Sequence, residues 1–354
     1  MIKTKLNYIL AFTFCFLAVS FTFTKDTEKE IKTKADGFFQ EGQYFKALPF
    51  YSQLLALNAK DVELNFKYGA CLIYGDGGTD EPIKYLNFAV KNNASKEALY
   101  FLGKAYHLNY QFEDAIGAYS RFIDEADNKL KAKHSDTKRQ IEQCAYGANL
   151  LSKIKDIAVI DKSKTLNVEF FRNYDLSDIG GRILVTPDEL LSSVDKKKNH
   201  RSLIHFPGES SVIYFSSYGK EDNLDIYKAT ILGNGEYSKP LKLDANVNTP
   251  FDENFPFMHP DGKTFYFSSK GHNSMGGYDI YKCESNGGGV FNKPENLDFA
   301  INSPDDDIFY IADANKKKAY FASSRSSEQG HIHVYKVFVE TFPTNLAIIK
   351  GEFK

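Results

Sequence analysis

Three copies of one four-residue pattern stand 54 residues apart: Asp225-Ile226-Tyr227-Lys228, Asp279-Ile280-Tyr281-Lys282 and His333-Val334-Tyr335-Lys336. A spacing held twice makes internal repetition the strongest constraint on the fold. A second signal runs ahead of it, Tyr214-Phe215-Ser216-Ser217, then Tyr266-Phe267-Ser268-Ser269 and, one residue longer, Tyr320-Phe321-Ala322-Ser323-Ser324. Each interval closes on a polar-proline corner, Asn248-Thr249-Pro250 and Asn302-Ser303-Pro304, again 54 apart.

The chemistry of the repeat identifies the unit. Pro260-Asp261-Gly262 lies between alternating apolar runs, with proline setting φ and glycine accepting a positive φ, which predicts a β-hairpin. Thr264 to Ser269 is aromatic and strand-prone, Gly276-Gly277 is another turn, and Tyr278 to Cys283 alternates again. Each period thus predicts about four short antiparallel strands. Such a sheet cannot bury both faces alone, but radial stacking covers each face with a neighbour, so the expected architecture of residues 160–340 is a β-propeller. The degenerate stretch from Leu166 to His200 reads as a fourth blade, with a strand at Leu166 to Phe171, another at Ile183-Leu184-Val185 and a short helix opening at Pro187, the alternative being an incomplete ring.

From Glu28 to about Ile154 the periodicity is helical and repeats on its own. Ala47 and Tyr51 correspond to Ala115 and Tyr119, with Pro82 and Leu86 between, giving a period near 34 that signals tetratricopeptide helix pairs. Gly103 and Ala115 are expected at helix crossings, where small residues let backbones approach. Thr137 to Lys155 is expected to be a further helix capping the open end of the solenoid, so that residues Thr27 to Lys155 form an independently folding piece. The charged stretch Lys153 to Lys164 is expected to be the hinge. The fold class is therefore α+β multidomain, an all-α solenoid over 28–155 followed by an all-β propeller.

The residues HPDGKTFYFSS followed by GGYDIYK resemble the PD40 (WD40-like) blade motif of TolB-type propellers. The first and third copies depart from it, with Gly208-Glu209-Ser210 and Ala314-Asn315-Lys316 in place of Pro-Asp-Gly. In domain order the chain is similar to OmpA-family envelope proteins of the PorE-like, type IX secretion-associated architecture. Leu346 to Phe353 reads as the first strand of a further β-domain, and the OmpA-like domain that would confer a peptidoglycan link is not part of this sequence. The resemblance implies a non-catalytic scaffold or adaptor that binds other envelope proteins, in an outer-membrane or secretion-associated complex.

The address agrees. Lys3 and Lys5, an apolar stretch from Tyr8 to Phe23 and the small residues Ala18-Val19-Ser20 predict a signal peptide and short linker over residues 1–24, with cleavage after Ser20, and a periplasmic or outer-membrane-associated protein. Sixteen apolar positions fall short of the roughly 20 that span a bilayer, and bulky Phe14 argues against lipidation at Cys15. Cys71, Cys144 and Cys283 are expected to be buried free thiols. Forty-four basic against 46 acidic residues leave a net charge of −2, which gives no reason to expect nucleic acid as a partner.

Little in the sequence predicts chemistry, so no cofactor, metal or catalytic residue is expected. His259 and Ser268-Ser269 belong to the repeat itself, and catalytic residues break a repeat. His331 and His333 share a strand face without a third ligand at fixed spacing. Gly75-Asp76-Gly77-Gly78 lacks the strand and Lys-Ser of a phosphate loop. Two groups remain as candidate binding residues: Lys34, Lys67, Tyr68, Lys104 and Tyr106 on the first helices of the solenoid, suited to an acidic protein partner, and Asp252, Glu253, Asp306 and Asp307 at a propeller mouth. The acids read either as a cation site or as solvated turn residues. A hydrolase or lyase acting on glycan or peptide is the alternative function.

Overall fold

The computed structural model describes residues 25–75, 80–151, 157–208, 210–219 and 222–339. The signal peptide, the Asp76–Thr79 part of the inter-helix turn, Lys153 to Asp156 of the hinge and the strand expected after Leu346 lie outside them. A helical region comes first, and a region of antiparallel sheets follows.

The helices are α1 (Lys25–Gln40), α2 (Tyr44–Leu57), α3 (Val62–Leu72), α4 (Glu81–Lys91), α5 (Glu97–Leu108), α6 (Phe112–Glu125), α7 (Asn128–Lys133) and α8 (Thr137–Leu151). Consecutive helices pack as pairs, α1 with α2, α3 with α4 and α5 with α6. Asp61 starts α3 by accepting the Leu64 N–H at 2.8 Å, satisfying one of the free donors of the first turn. Two glycines 34 residues apart set the pair spacing. A Cβ on Gly69 would stand 2.9 Å from Leu86, and one on Gly103 would stand 2.6 Å from the Tyr119 ring. Ala47, Tyr51, Ala115 and Tyr119 are fully buried in the same core. The helix α8 does not stand at a free end. It packs on α6 and turns its polar face toward the sheets.

The sheets are built from β1 (Ala158–Leu166), β2 (Arg182–Val185), β3 (Leu203–Phe206), β4 (Val212–Tyr218), β5 (Leu224–Thr230), β6 (Leu241–Lys242), β7 (Glu253–Met258), β8 (Thr264–Ser269), β9 (Asp279–Glu284), β10 (Glu295–Asn296), β11 (Asp307–Ala312), β12 (Lys318–Ser323) and β13 (His331–Phe338). Short helices α9 (Ser193–Lys198) and α10 (Asp298–Ile301) lie between them. Strand orders are β10-β9-β8-β7, β4-β5-β6, β2-β3 and β1-β13-β12-β11. The central 54-residue period is thus one four-stranded antiparallel sheet, as its turns require.

The described residues make no closed propeller. The stretch expected to form a fourth blade is divided: β2 and β3 pair only with each other, and the strand expected at Leu166 lies earlier. That strand, β1, takes up most of the expected hinge and pairs antiparallel with β13, from Ala158 opposite Phe338 to Leu166 opposite His331. Among the described residues its repeat has no fourth strand of its own beside β13, and β1 takes that place. Phe170 and Tyr174, just after β1, then pack with Phe255 and Phe309 between the sheets. Phe255 and Phe309 each take a φ of 53° at equivalent bulges of β7 and β11, which aims both rings into this cluster.

Turn chemistry follows the repeat even where the letters change. Gly262 has a φ of 68°, and Lys316, in the copy without Pro-Asp-Gly, takes 58°. Asp261 accepts the N–H groups of Lys263 and Thr264, and Asp313 accepts those of Lys317 and Lys318. The polar corners are equally regular. Asn248 accepts the Ile226 N–H and donates to its carbonyl, and Asn302 does the same with Ile280, at 2.7 and 2.9 Å. Each amide adds to the Leu243 and Leu297 N–H groups that already serve the same two carbonyls. Asn302 is fully buried, so Asn302→Ala leaves the Ile280 N–H unpaired and removes one of the two donors to its carbonyl, the other being the Leu297 N–H. Urea unfolding of that variant is expected to show a loss of about 2 to 4 kcal/mol, against less than 1 kcal/mol for exposed Asn315→Ala.

Candidate functional site

The helical and sheet regions meet at the loop Lys270 to Gly277, which joins β8 to β9 and has no equivalent of its length between β4 and β5, and at α10, where Phe299 packs edge-on against Tyr110. Met275 at the loop tip is fully buried in the helical core. The carbonyls around it are capped from the helical side. Arg139 on α8 donates to the carbonyls of Lys270, Gly271 and His272 at 3.0 to 3.2 Å and to the Ser274 hydroxyl at 3.0 Å. Gln143 donates to Ser274 Oγ and to the Gly276 carbonyl. His107 Nε2 stands 2.6 Å from the Met275 carbonyl, which can only accept, so that nitrogen carries the proton. Burial pulls the His107 pKa down to about 4, in keeping with a neutral ring. Gly276 and Gly277 run against the Ser303-Pro304 backbone and the Asp306 carboxylate, where a side chain has no room.

Beside this joint lies a cleft of about 1240 Å³ with a helical wall and a sheet wall. The helical wall presents Tyr74, Lys104, Asp136 and Lys138; the sheet wall presents Phe251, Phe255, Tyr278, Asp305 and Asp306. Lys104 Nζ donates to the Tyr74 hydroxyl at 2.9 Å and sits 4.8 Å from that ring's centre. Burial pulls its pKa down, but Tyr74, Asp136 and Asp305 outweigh that and hold the ammonium above its ordinary value. Asp305 is pushed up to about 7 by burial and by the Asp307 and Asp306 carboxylates beside it.

The residues singled out from the sequence divide between frame and cleft. Lys34 is exposed on α1 over the Phe50 ring. Lys67 pairs with Asp36 at 2.7 Å, where Tyr51 also donates. Tyr68 packs edge-on against Tyr85, and the Tyr106 hydroxyl accepts from Asn87. None of these four lines the cleft; Lys104 does.

Glu253 and Asp307 are fully buried. Glu253 accepts from the Thr249 N–H and hydroxyl and from Ser269; Asp307 accepts from the same groups of Ser303 and pairs with Arg325 at 2.6 Å. Asp195 accepts from Ser192 and Ser217 in the first unit, at the end of α9. The serine of the Tyr-Phe-Ser-Ser strand therefore serves an internal carboxyl in each unit. Asp252 and Asp306 tie neighbouring units together, accepting the N–H groups of Leu224 and Tyr278. Asp306 does so on the cleft wall, so Lys104 and Asp306, drawn from the two separate groups, share one cavity. Asp305, the other acid of the sheet wall, belongs to the run Asp305-Asp306-Asp307 that the sequence reading placed after Pro304.

Cys71, Cys144 and Cys283 are free and buried. Among the described residues no three His, Cys, Asp or Glu side chains come together to hold a metal ion. His333 meets the Ser327 hydroxyl at 2.7 Å. No described helix is long and apolar enough to cross a membrane. No protein-family model matches the chain, and no curated protein matches it.

Asp279 anchors the joint from below. It is fully buried, accepts the Met275 N–H at 2.9 Å and the Asn296 amide at 2.8 Å, and is pushed up to about 8 by burial. Glu253 is raised to about 7 by the same cause, against its Ser269 and Thr249 hydrogen bonds. Both carboxyls are more acidic in the unfolded chain, so their neutral forms stabilise the fold fully below their ordinary values of 3.8 and 4.5. That stabilisation is lost as the pH rises through 7 to 8. Melting temperature is expected to fall between pH 5 and pH 9, measured by circular dichroism, and to fall less in Asp279→Asn.

Proposed function

We propose that the protein is a non-catalytic scaffold of the cell envelope that holds a partner protein in the cleft between its two regions. On this reading the helical pairs are tetratricopeptide-like repeats, and the sheets are PD40-like blades of an incomplete propeller clasped by β1 on β13. The protein is exported, and its partners are other envelope proteins.

One observation carries the reading. The serines and carboxyls at equivalent positions of the repeat hold the frame, with Ser269 on Glu253 and Ser217 on Asp195, and the Ser216 hydroxyl is buried without a partner. Polar groups left over gather in the cleft, among aromatic rings. That combination suits recognition better than catalysis, because aromatic side chains supply most interface energy, and Ser327 on the lining, 2.7 Å from His333 Nδ1, has no carboxylate set behind that ring among the described residues. The space between the sheets, where a propeller enzyme would place its centre, is filled by Phe170, Tyr174, Phe255 and Phe309.

A photo-crosslinking residue at Tyr278, on the cleft wall, is expected to capture a protein in native envelopes. The same residue at exposed Leu57 is expected to capture none. Turnover of a peptide or glycan panel by the purified chain, abolished by Asp305→Asn, would establish the hydrolase or lyase instead.

A further inference from the structure

We propose that the cleft takes an extended peptide segment carrying both an acidic and a basic side chain. The acid is set against Lys104, and the base is set against Asp305 and Asp306. The inference rests on the scaffold reading above and specifies what the cleft recognises.

Charge is the first argument. Most ionic groups around the cleft are already matched: Arg139 by loop carbonyls and Glu142, Lys270 by Asp252 at 3.0 Å, and Glu328 by Lys164. Lys104 is not. Its ammonium donates to a neutral phenol, and among the described residues no carboxylate lies within ion-pair distance of it. Asp305, on the opposite wall, has a carboxyl that no donor in the described residues reaches, although its main chain is bonded to Ser303 and Gly277. The two charges act on each other across the cleft without touching. A ligand that brings one charge of each sign satisfies both walls. A neutral saccharide would desolvate both and pair neither.

Size is the second argument. A cavity of about 1240 Å³ exceeds the roughly 300 to 1,000 Å³ of ordinary small-molecule pockets, so a single amino acid or other small zwitterion leaves most of it empty. The third is the lining between the charges. Phe251 is 43 % exposed, with the Arg139 guanidinium over one face at 4.8 Å, and Tyr278 lies under the Lys270 ammonium at 4.6 Å. These rings offer flat apolar surface for the chain that connects the two charged side chains.

Calorimetric titration of the full chain with capped hexapeptides tests the assignment. Alternating Lys-Glu is expected to bind at least tenfold tighter than all-Lys, all-Glu or Gly-Ser peptides, and to weaken as salt is raised. Lys104→Met and exposed Asp306→Asn are each expected to weaken it at least fivefold, while Lys104→Arg retains binding and shows that the fold survives the change. Equal binding of the alternating and Gly-Ser peptides, or affinity unmoved by Lys104→Met, overturns the proposal. If no hexapeptide binds while the Tyr278 crosslink still captures a protein, the charge assignment falls and the scaffold reading stands. If the crosslink also captures nothing, both fall.

Discussion

The arrangement of the whole molecule hangs on a guanidinium group facing a row of carbonyl oxygens. Arg139 satisfies three consecutive main-chain acceptors of the Lys270–Gly277 loop, and a buried carbonyl left without a donor costs about 1 to 3 kcal/mol. With that row capped, the loop can leave the sheet and place Met275 inside the helical core. The cleft lies beside this joint, with one wall from each region. Its width is then set by packing and hydrogen bonds rather than by a flexible linker.

A second set of interactions keeps the sheet wall in place, and it is made of carboxyls that face inward. Asp195, Glu253 and Asp307 each collect the N–H of a corner residue and a serine hydroxyl from the neighbouring strand. Hydrogen bonds of this kind offset the cost of taking a carboxyl out of water only in part, which is why burial leads the causes that raise Glu253 and Asp307. The negative field of this frame reaches the cleft through Asp307, whose charge is felt at Asp305. Structural acids thus tune the group that faces the cleft.

Periodicity made the helix pairs and the central four-stranded sheet legible, because each depends on contacts within one repeat. Gly103 could be placed at a helix crossing from spacing alone, and its Cβ would indeed meet Tyr119. What escaped the sequence were long-range pairings. Nothing in Ala158 to Leu166 names β13 as its partner, since Asp161, Lys162 and Lys164 give it the look of a charged linker. The buried role of Glu253 and Asp307 was legible in principle: the Asn-Thr-Pro and Asn-Ser-Pro corners each precede an acid at a fixed distance, four residues from the Thr or Ser. Lys104 was found as a cation on a helix, but the sheet wall opposite it depends on the Met275 loop, whose length is the very feature that does not repeat.

The pairing of β1 with β13 also determines how the protein bears load. Ala158 and Phe338 lie opposite each other, so the two ends of the described sheet region stand at the same end of the clasp. Tension applied between the helical region and anything attached beyond Val339 would open the ladder one pair at a time, as a zipper, rather than shearing all its hydrogen bonds together. The clasp is therefore mechanically weak along that line while remaining stable at rest. A taut tether would release the first strand before it disturbed the corners held by Asn248 and Asn302.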